Sequence, residues 1–417
     1  MKIVSYFVSR FLTLAILLLG VLWGCQETLV EPDPDEFLEK SAVAEVVPMS
    51  GTLSSGALYE IVLPLPAWNV LPKKILLVYA HGYEDADFPV ELPDDEIEGV
   101  PIKNFVVSKG MGYATTSFRE NGLAVLEGIE DILLLRETIV NFFATNPSYL
   151  PPDAVVLVGP SEGGLITVLT IEQNPGLFDA ALATCCPIGD FYKQMQYYGD
   201  AHVLFKYFFG PSLNDINLGS PKRISKATLA AWKDGSLPAA IIEVLSNDFL
   251  YNGGNKIRQF IACANIPVDM SDPERTIQVI LEVIRYPIKA TNDALDRLGG
   301  NPFNNKMPMR EYTGSDNDRK LNLTVERIKR SDWETAAKNV SLWYETTGEL
   351  YTPLITLHKL NDHITFYEHQ TKFISKVNAN SPFPGLLIHI PVPGECSHCT
   401  FQISDIEYAL SFLTAMF

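Results

Sequence analysis

The sequence predicts an α/β chain: a doubly wound, mostly parallel sheet, with a large helical segment inserted after the strand that follows its central helix. Three observations carry this. First, the apolar run Val155-Val156-Leu157-Val158 feeds Gly159-Pro160-Ser161-Glu162-Gly163-Gly164, and a helix-compatible run, Leu165 to Ile171, follows at once. That is strand, tight turn and helix in direct succession. Second, continuous apolar runs alternate with segments of helical period on both sides of this stretch, as a sheet covered by helices requires. Third, the alternation breaks at Pro187 and resumes near Thr352, leaving about 164 residues with mainly helical patterning.

Taken in order, Leu58–Leu65 and Lys74–Ala80 read as strands, the second apolar throughout and therefore buried on both faces. It runs into His81-Gly82-Tyr83. Glu84 to Glu98 then carries eight carboxylates in fifteen residues without the spacing of a calcium loop, which reads as a solvated rim. Phe105–Lys109 begins a helix and Gly112–Phe118 is a strand. Leu126, Ile129, Leu133, Ile139 and Phe143 recur at helical spacing and predict a long crossover helix over Leu123–Phe143. After the central turn and its helix, Pro175-Gly176 is a stop, and Phe178–Thr184 is the next strand. In the insertion, aromatic residues are dense from Phe191 to Phe209, and Leu237–Leu245 and Glu274–Arg285 read as helices. Gly299 to Asn305 marks an ordered turn. Thr352–His358 and Gly385–Pro391 read as the last two core strands. Ser404 and Glu407 fit a capping box opening a C-terminal helix.

The chemistry converges on Ser161. Gly159 and Gly163 free the turn of side chains, so the hydroxyl stands exposed at the end of its strand. The N–H of Glu162, at the helix start, can face a developing oxyanion, and Tyr83, after the His-Gly pair, can supply a second N–H. Seven histidines compete for the base. His81 reads as a structural hydrogen-bonder, His202 lies in the insertion, His389 lies within a strand, and His358, His363 and His369 cluster around Asp362. Only His398 occupies a short loop between the last strand and the C-terminal helix. The chain order Ser161, Asp362, His398 suits a nucleophile, an orienting acid and a general base.

These residues together resemble the α/β-hydrolase superfamily, nearest its secreted-esterase and prolyl-oligopeptidase-like branch. There His-Gly-x-x-Asp-x-x-x-Pro-x-x-x-Gln accompanies the acid and Gly-His-x-x-Phe the base. His358, Asp362, Gln370, His398 and Phe401 fit, whereas Lys359 and Ser397 stand where glycines are usual and the proline is absent. The resemblance covers about residues 58–186 and 351–417. It implies a hydrolase core over 51–186 and 351–417, a helical lid over 187–350, and a Ser161–His398–Asp362 triad acting through an acyl-enzyme without metal or organic cofactor. The expected activity is hydrolysis of small, neutral, partly apolar carboxylic esters. A prolyl-oligopeptidase-like peptidase and a non-catalytic surface-binding protein are the alternatives.

The first 24 residues are set aside from the fold. Lys2 and Arg10 open a segment that is almost wholly apolar from Phe11 to Val21, and Leu22-Trp23-Gly24-Cys25 resembles the lipobox of a bacterial lipoprotein. The expectation is a signal peptide over 1–24, a lipid on Cys25, an acidic tether over 25–50, and a protein anchored in the bacterial envelope at the outer membrane. The net charge is −18, and cleavage would remove two more cations, so phosphate backbones would be repelled and nucleic acid is excluded as a partner. Beyond Cys25 stand Cys185, Cys186, Cys263, Cys396 and Cys399, an odd set that leaves at least one thiol unpaired unless chains are cross-linked. Cys396-Ser-His-Cys399 lacks the second pair a zinc site needs and reads as small buried residues or a local disulfide.

Overall fold

Period-two alternation along eight strands decides what the central sheet buries on each face. The structure is a computed structural model and describes residues 45–213 and 217–417. Strands β1 (Glu45–Thr52), β2 (Leu58–Leu65), β3 (Ile75–Tyr79), β4 (Gly112–Thr116), β5 (Ala154–Pro160), β6 (Ala180–Thr184), β7 (Leu354–Lys359) and β8 (Leu387–Val392) lie side by side in the order β1-β2-β4-β3-β5-β6-β7-β8. β2 runs antiparallel to both of its neighbours. Every other pairing is parallel. One register line crosses the parallel part through Val78, Leu157, Ala181, Leu354 and Leu387.

Leu76, Val78, Val155 and Leu157 point to one face, where they meet the helices α2 (Val125–Thr145), α3 (Ser161–Gln173) and α12 (Glu368–Asn380). Ile75, Leu77, Tyr79 and Val156 point to the other, under α1 (Ile102–Ser108) and α13 (Ile403–Thr414). Between β6 and β7 lie α4 (Phe191–Phe209), α5 (Lys226–Lys233), α6 (Ser236–Asn252), α7 (Asn255–Ala264), α8 (Pro273–Lys289), α9 (Thr291–Arg297), α10 (Asp318–Thr324) and α11 (Trp333–Trp343). Much of this insertion has its own core. Phe205 and Phe209 pack on Phe260, with ring centroids 5.5 and 6.4 Å apart, beside Val279, Ile280, Val283 and Ile284 of α8. Its ends rejoin the main core through Phe191, Ala294, Leu298, Val340 and Tyr344.

Two expectations are corrected. The tether of 25–50 is too long, because β1 begins at Glu45 and pairs with β2 over its whole length. The acidic run that suggested a tether stops at Glu39, and the eight residues of β1 carry one acid. The C-terminal capping box is formed two residues earlier, by Gln402 and Asp405. Glu407 is occupied elsewhere, 2.5 Å from Lys109 Nζ. Cys25 and the expected signal peptide of residues 1–24 lie outside the described residues.

Candidate active site

Because β3, β5, β6 and β7 are parallel neighbours, the loops after them meet at one edge of the sheet. Ser161 follows β5 directly and opens α3 with φ of 50°, a left-handed conformation rare for a residue with a side chain. The turn needs its glycines for closeness. A Cβ on Gly159 would lie 2.3 Å from the Gly163 carbonyl oxygen, and one on Gly163 would lie 2.0 Å from that of Ala80. The helix start is thereby pressed against the end of β3.

His398 Nε2 lies 2.9 Å from Ser161 Oγ, and its Nδ1 lies 2.8 and 3.0 Å from the two oxygens of Asp362. An ionised carboxylate only accepts, so Nδ1 carries the proton and Nε2 is free to accept from the serine hydroxyl. Asp362 is fully buried, and burial alone would raise its pKa. The attraction of the imidazolium that His398 becomes on protonation, the hydrogen bond from its Nδ1 and the N–H of Thr365 outweigh that and hold it below the usual carboxylate range. Ile364 N and Thr365 N donate to Oδ1 at 2.9 and 2.8 Å, which locks the carboxylate plane.

The sheet order with its single antiparallel β2, the left-handed serine at the end of β5, and Asp362 and His398 on the loops after β7 and β8 decide the architecture. The chain has the α/β-hydrolase fold. No family model matches the sequence, and no curated protein does. Among solved structures it is similar to oligopeptidase B from Leishmania major, at 12% identity and a TM-score of 0.42, covering 89% of this chain and 36% of that one. It is similar to the acylaminoacyl peptidase of Pyrococcus horikoshii, at 15% identity and a TM-score of 0.41, covering 92% of this chain and 43% of that one. The esterase Est1E from Butyrivibrio proteoclasticus matches at 12% identity and a TM-score of 0.39, covering 88% of this chain and 98% of that one. This chain thus spans less than half the length of the two peptidases. At such identities the likenesses add nothing to what the sheet order says of this α/β-hydrolase fold.

The other six histidines are held in roles of their own. His358 donates from Nε2 to the Thr365 carbonyl (2.7 Å) and accepts at Nδ1 from Gln370 (3.0 Å). Burial lowers its pKa, so it stands neutral, and its 3.7 Å approach to Asp362 is no ion pair. His363 is engaged by Glu282 at 2.6 Å. His369 and His389, pushed down by burial to about 3 and about 4, are bonded to Gln194 and to Thr356 and Tyr367. His202 is buried in the insertion, and His81 stacks on Phe118 at 4.0 Å with Nδ1 donating to the Gly82 carbonyl.

Tyr83 and Glu162, the expected oxyanion donors, line one cavity with Ser161. It holds about 90 Å³ and is roofed by the insertion, chiefly Phe191, Tyr198, Tyr286, Leu295 and Phe303. Tyr198 and Tyr286 stack at 5.1 Å, and Tyr286 lies 5.8 Å from Tyr83. Sequence reasoning gave Glu162 only a backbone role, yet its carboxyl is buried in this wall, accepting from Ala124 N at 3.0 Å. Burial pushes its pKa up to about 8. Nothing in the linear sequence marks a helix-start glutamate as buried.

The acidic loop is not simply a solvated rim. Asp85 is buried, 3.0 Å from Arg285 and 3.4 Å from Lys289 of α8, and Lys289 also reaches Asp87 at 2.5 Å. Together with Glu282–His363, these pairs dock α8 across the site, between the loop after β3 and the loop after β7. The cysteine reading holds for Cys396, a buried free thiol like Cys186 and Cys263, and is corrected for Cys399, which is bonded to distant Cys185 and not locally. Among the described residues, no group of His, Cys, Asp and Glu is arranged to hold a metal ion.

Proposed function

We propose that this protein is a serine hydrolase, most specifically a carboxylic-ester hydrolase acting on neutral, partly apolar esters. The observation that carries the reading is the continuous chain from Ser161 Oγ through His398 to buried Asp362, opening on a mainly apolar cavity. In this reading the Ser161 hydroxyl attacks the ester carbonyl as His398 Nε2 takes its proton. Asp362 keeps the imidazole in the required tautomer and stabilises its charge. The N–H groups of Glu162 and Tyr83 receive the oxyanion, each worth about 3–4 kcal/mol in the transition state. His398 then protonates the departing alcohol, and water, activated by the same imidazole, releases the acid.

Preference for esters is supported by the small roofed cavity. It favours a compact apolar acyl or alcohol group and gives an extended peptide little room. We also propose that the chain is anchored to the bacterial envelope by a lipid on Cys25, on the sequence pattern alone. The test of activity is labelling of Ser161 by a fluorophosphonate, followed by kcat/KM for neutral esters, anionic esters and Pro-containing peptide amides on one preparation lacking residues 1–24. Labelling with the highest kcat/KM on neutral esters is the expected result. Faster cleavage of the amides would make it a peptidase. No labelling and no turnover would make it a binding protein.

A further inference from the structure

The segment that presents His398, Gly394 to Phe401, contains neither helix nor strand. No backbone ladder sets its position, so its side contacts must. Asn361 Nδ2 donates to the Gly394 carbonyl at 3.0 Å, Arg275 of α8 to the Cys396 carbonyl at 2.5 Å, and Lys359 Nζ to Ser397 Oγ at 2.8 Å. The fourth contact is covalent: Cys399, one residue after the base, is bonded to Cys185 at the end of β6, their Cα atoms 5.3 Å apart. Cys399 Sγ lies 3.4 Å from His398 Nε2, the nitrogen that faces Ser161. Both bridge residues have left-handed backbones, with φ of 46° at Cys185 and 53° at Cys399. Such conformations are costly for residues with side chains and persist only where the surroundings impose them.

We propose that the Cys185–Cys399 disulfide is the positioning element of the catalytic base: it ties the His398 loop to the sheet and keeps Nε2 on Ser161 Oγ, so turnover depends on its oxidised state. The proposal rests on the reading of Ser161 and His398 as nucleophile and base. The three hydrogen bonds are single and partly exposed; with the burial of Cys396 and Phe401 in the flanking cores they leave the loop near its place without the bridge, but the stretch around His398 with slack. A displacement of about 1 Å in a reacting group costs about 10²-fold in rate, so a partial loss of activity is expected, not an unfolded enzyme. Arg275 and Lys359 act on the same loop and are positioning residues in the same sense.

The test uses dithiothreitol on the folded protein. The reagent gives up two electrons and two protons and closes into its own cyclic disulfide, while the bridge opens to two thiols on Cys185 and Cys399. On reduction kcat should fall by about 10- to 100-fold, with KM within about twofold. Fluorophosphonate labelling should slow in the same proportion, and reoxidation should restore both. Cys185→Ala, which leaves the loop's own residues in place, should show the same loss without reductant and no response to it. Cys263→Ser should behave like wild type. A purely structural bridge would lower Tm and leave kcat and labelling at 25 °C unchanged. That outcome in reduced protein with two new titratable thiols and unchanged circular dichroism overturns the proposal, even if Cys185→Ala fails to fold. Oxidised wild type that never labels overturns the functional reading and this one with it. Equal labelling of wild type and reduced enzyme overturns this one alone.

Discussion

Ser161 and Glu162 are neighbours with opposite demands on their surroundings. The serine needs an exposed hydroxyl and a neutral base beside it, and the glutamate needs burial that its own charge opposes. Ser161→Ala, His398→Ala and Asp362→Asn should each lower kcat by orders of magnitude, about 10⁴-fold or more. The double variant Ser161→Ala/His398→Ala should be little worse than either single one, since the residues act as a unit. Steady-state kinetics checks both statements, and loss in His363→Ala with full activity in His398→Ala would show the base to be the wrong histidine. Burial holds the Glu162 pKa at about 8 in the folded chain, against an ordinary 4.5. Between those values the unfolded chain has released a proton that the folded chain retains. Stability therefore falls as pH rises through that window. Glu162→Gln keeps an acceptor for Ala124 N and removes the titration. Its advantage in stability should be largest near pH 8 and above, on the order of a few kcal/mol, and vanish toward pH 4, as the Tm difference across pH would read.

Elements matter here through the faces they press together. The first turn of α3 can sit on the end of β3 only because Gly163 has no side chain. Gly163→Ala must move either the helix or the strand, because the clash is with backbone and not with a flexible side-chain tip. The expected cost is at least the ~1–3 kcal/mol of ordinary overpacking, with loss of activity larger than loss of Tm would explain. The second such element is α8. Its last turns grip Asp85, which is only 3% exposed, and its aromatic Tyr286 forms cavity wall. Asp85→Ala takes the carboxylate from Arg285 and leaves Lys289 with Asp87 alone, and should destabilise by up to roughly 3–5 kcal/mol. The roof should loosen at the same time, so KM for apolar esters should rise more than kcat falls. Unchanged KM in a folded Asp85→Ala protein would mean that α8 does not shape the substrate site.

At the scale of the whole molecule, a chain of net charge −18 should repel anionic substrates. The ratio of kcat/KM for neutral over anionic esters should shrink as salt is raised from low to physiological strength, since screening acts over about 8–10 Å. A ratio indifferent to salt would place the discrimination inside the cavity. Mass spectrometry of the mature N-terminus should find Cys25 first and lipid-modified, and an unmodified Cys25 or a cut elsewhere removes the proposed anchor.

What the sequence determined by itself was everything written in local pattern. Buried strands such as Ile75–Tyr79 and Ala180–Thr184 show as apolar runs, the turn at Ser161 shows as glycine spacing, and Asp362 and His398 stand at the ends of legible strands. Hydrophobic period and backbone sterics act over a few residues, so a few residues suffice to read them. The tertiary structure alone decided what depends on distant segments meeting. The Cys185–Cys399 bridge joins positions 214 residues apart, and no spacing rule selects that pair among five thiols. Lys359 and Ser397, the two departures from the glycines of the family pattern, turn out to bond to each other across the acid and base loops. The carboxylates of Asp85 and Glu162 look solvated in sequence, where composition is all that can be weighed. Asp85 is buried because α8 closes over it, and Glu162 because its carboxyl turns inward to Ala124 N at the start of α2; burial is a property of the packed chain.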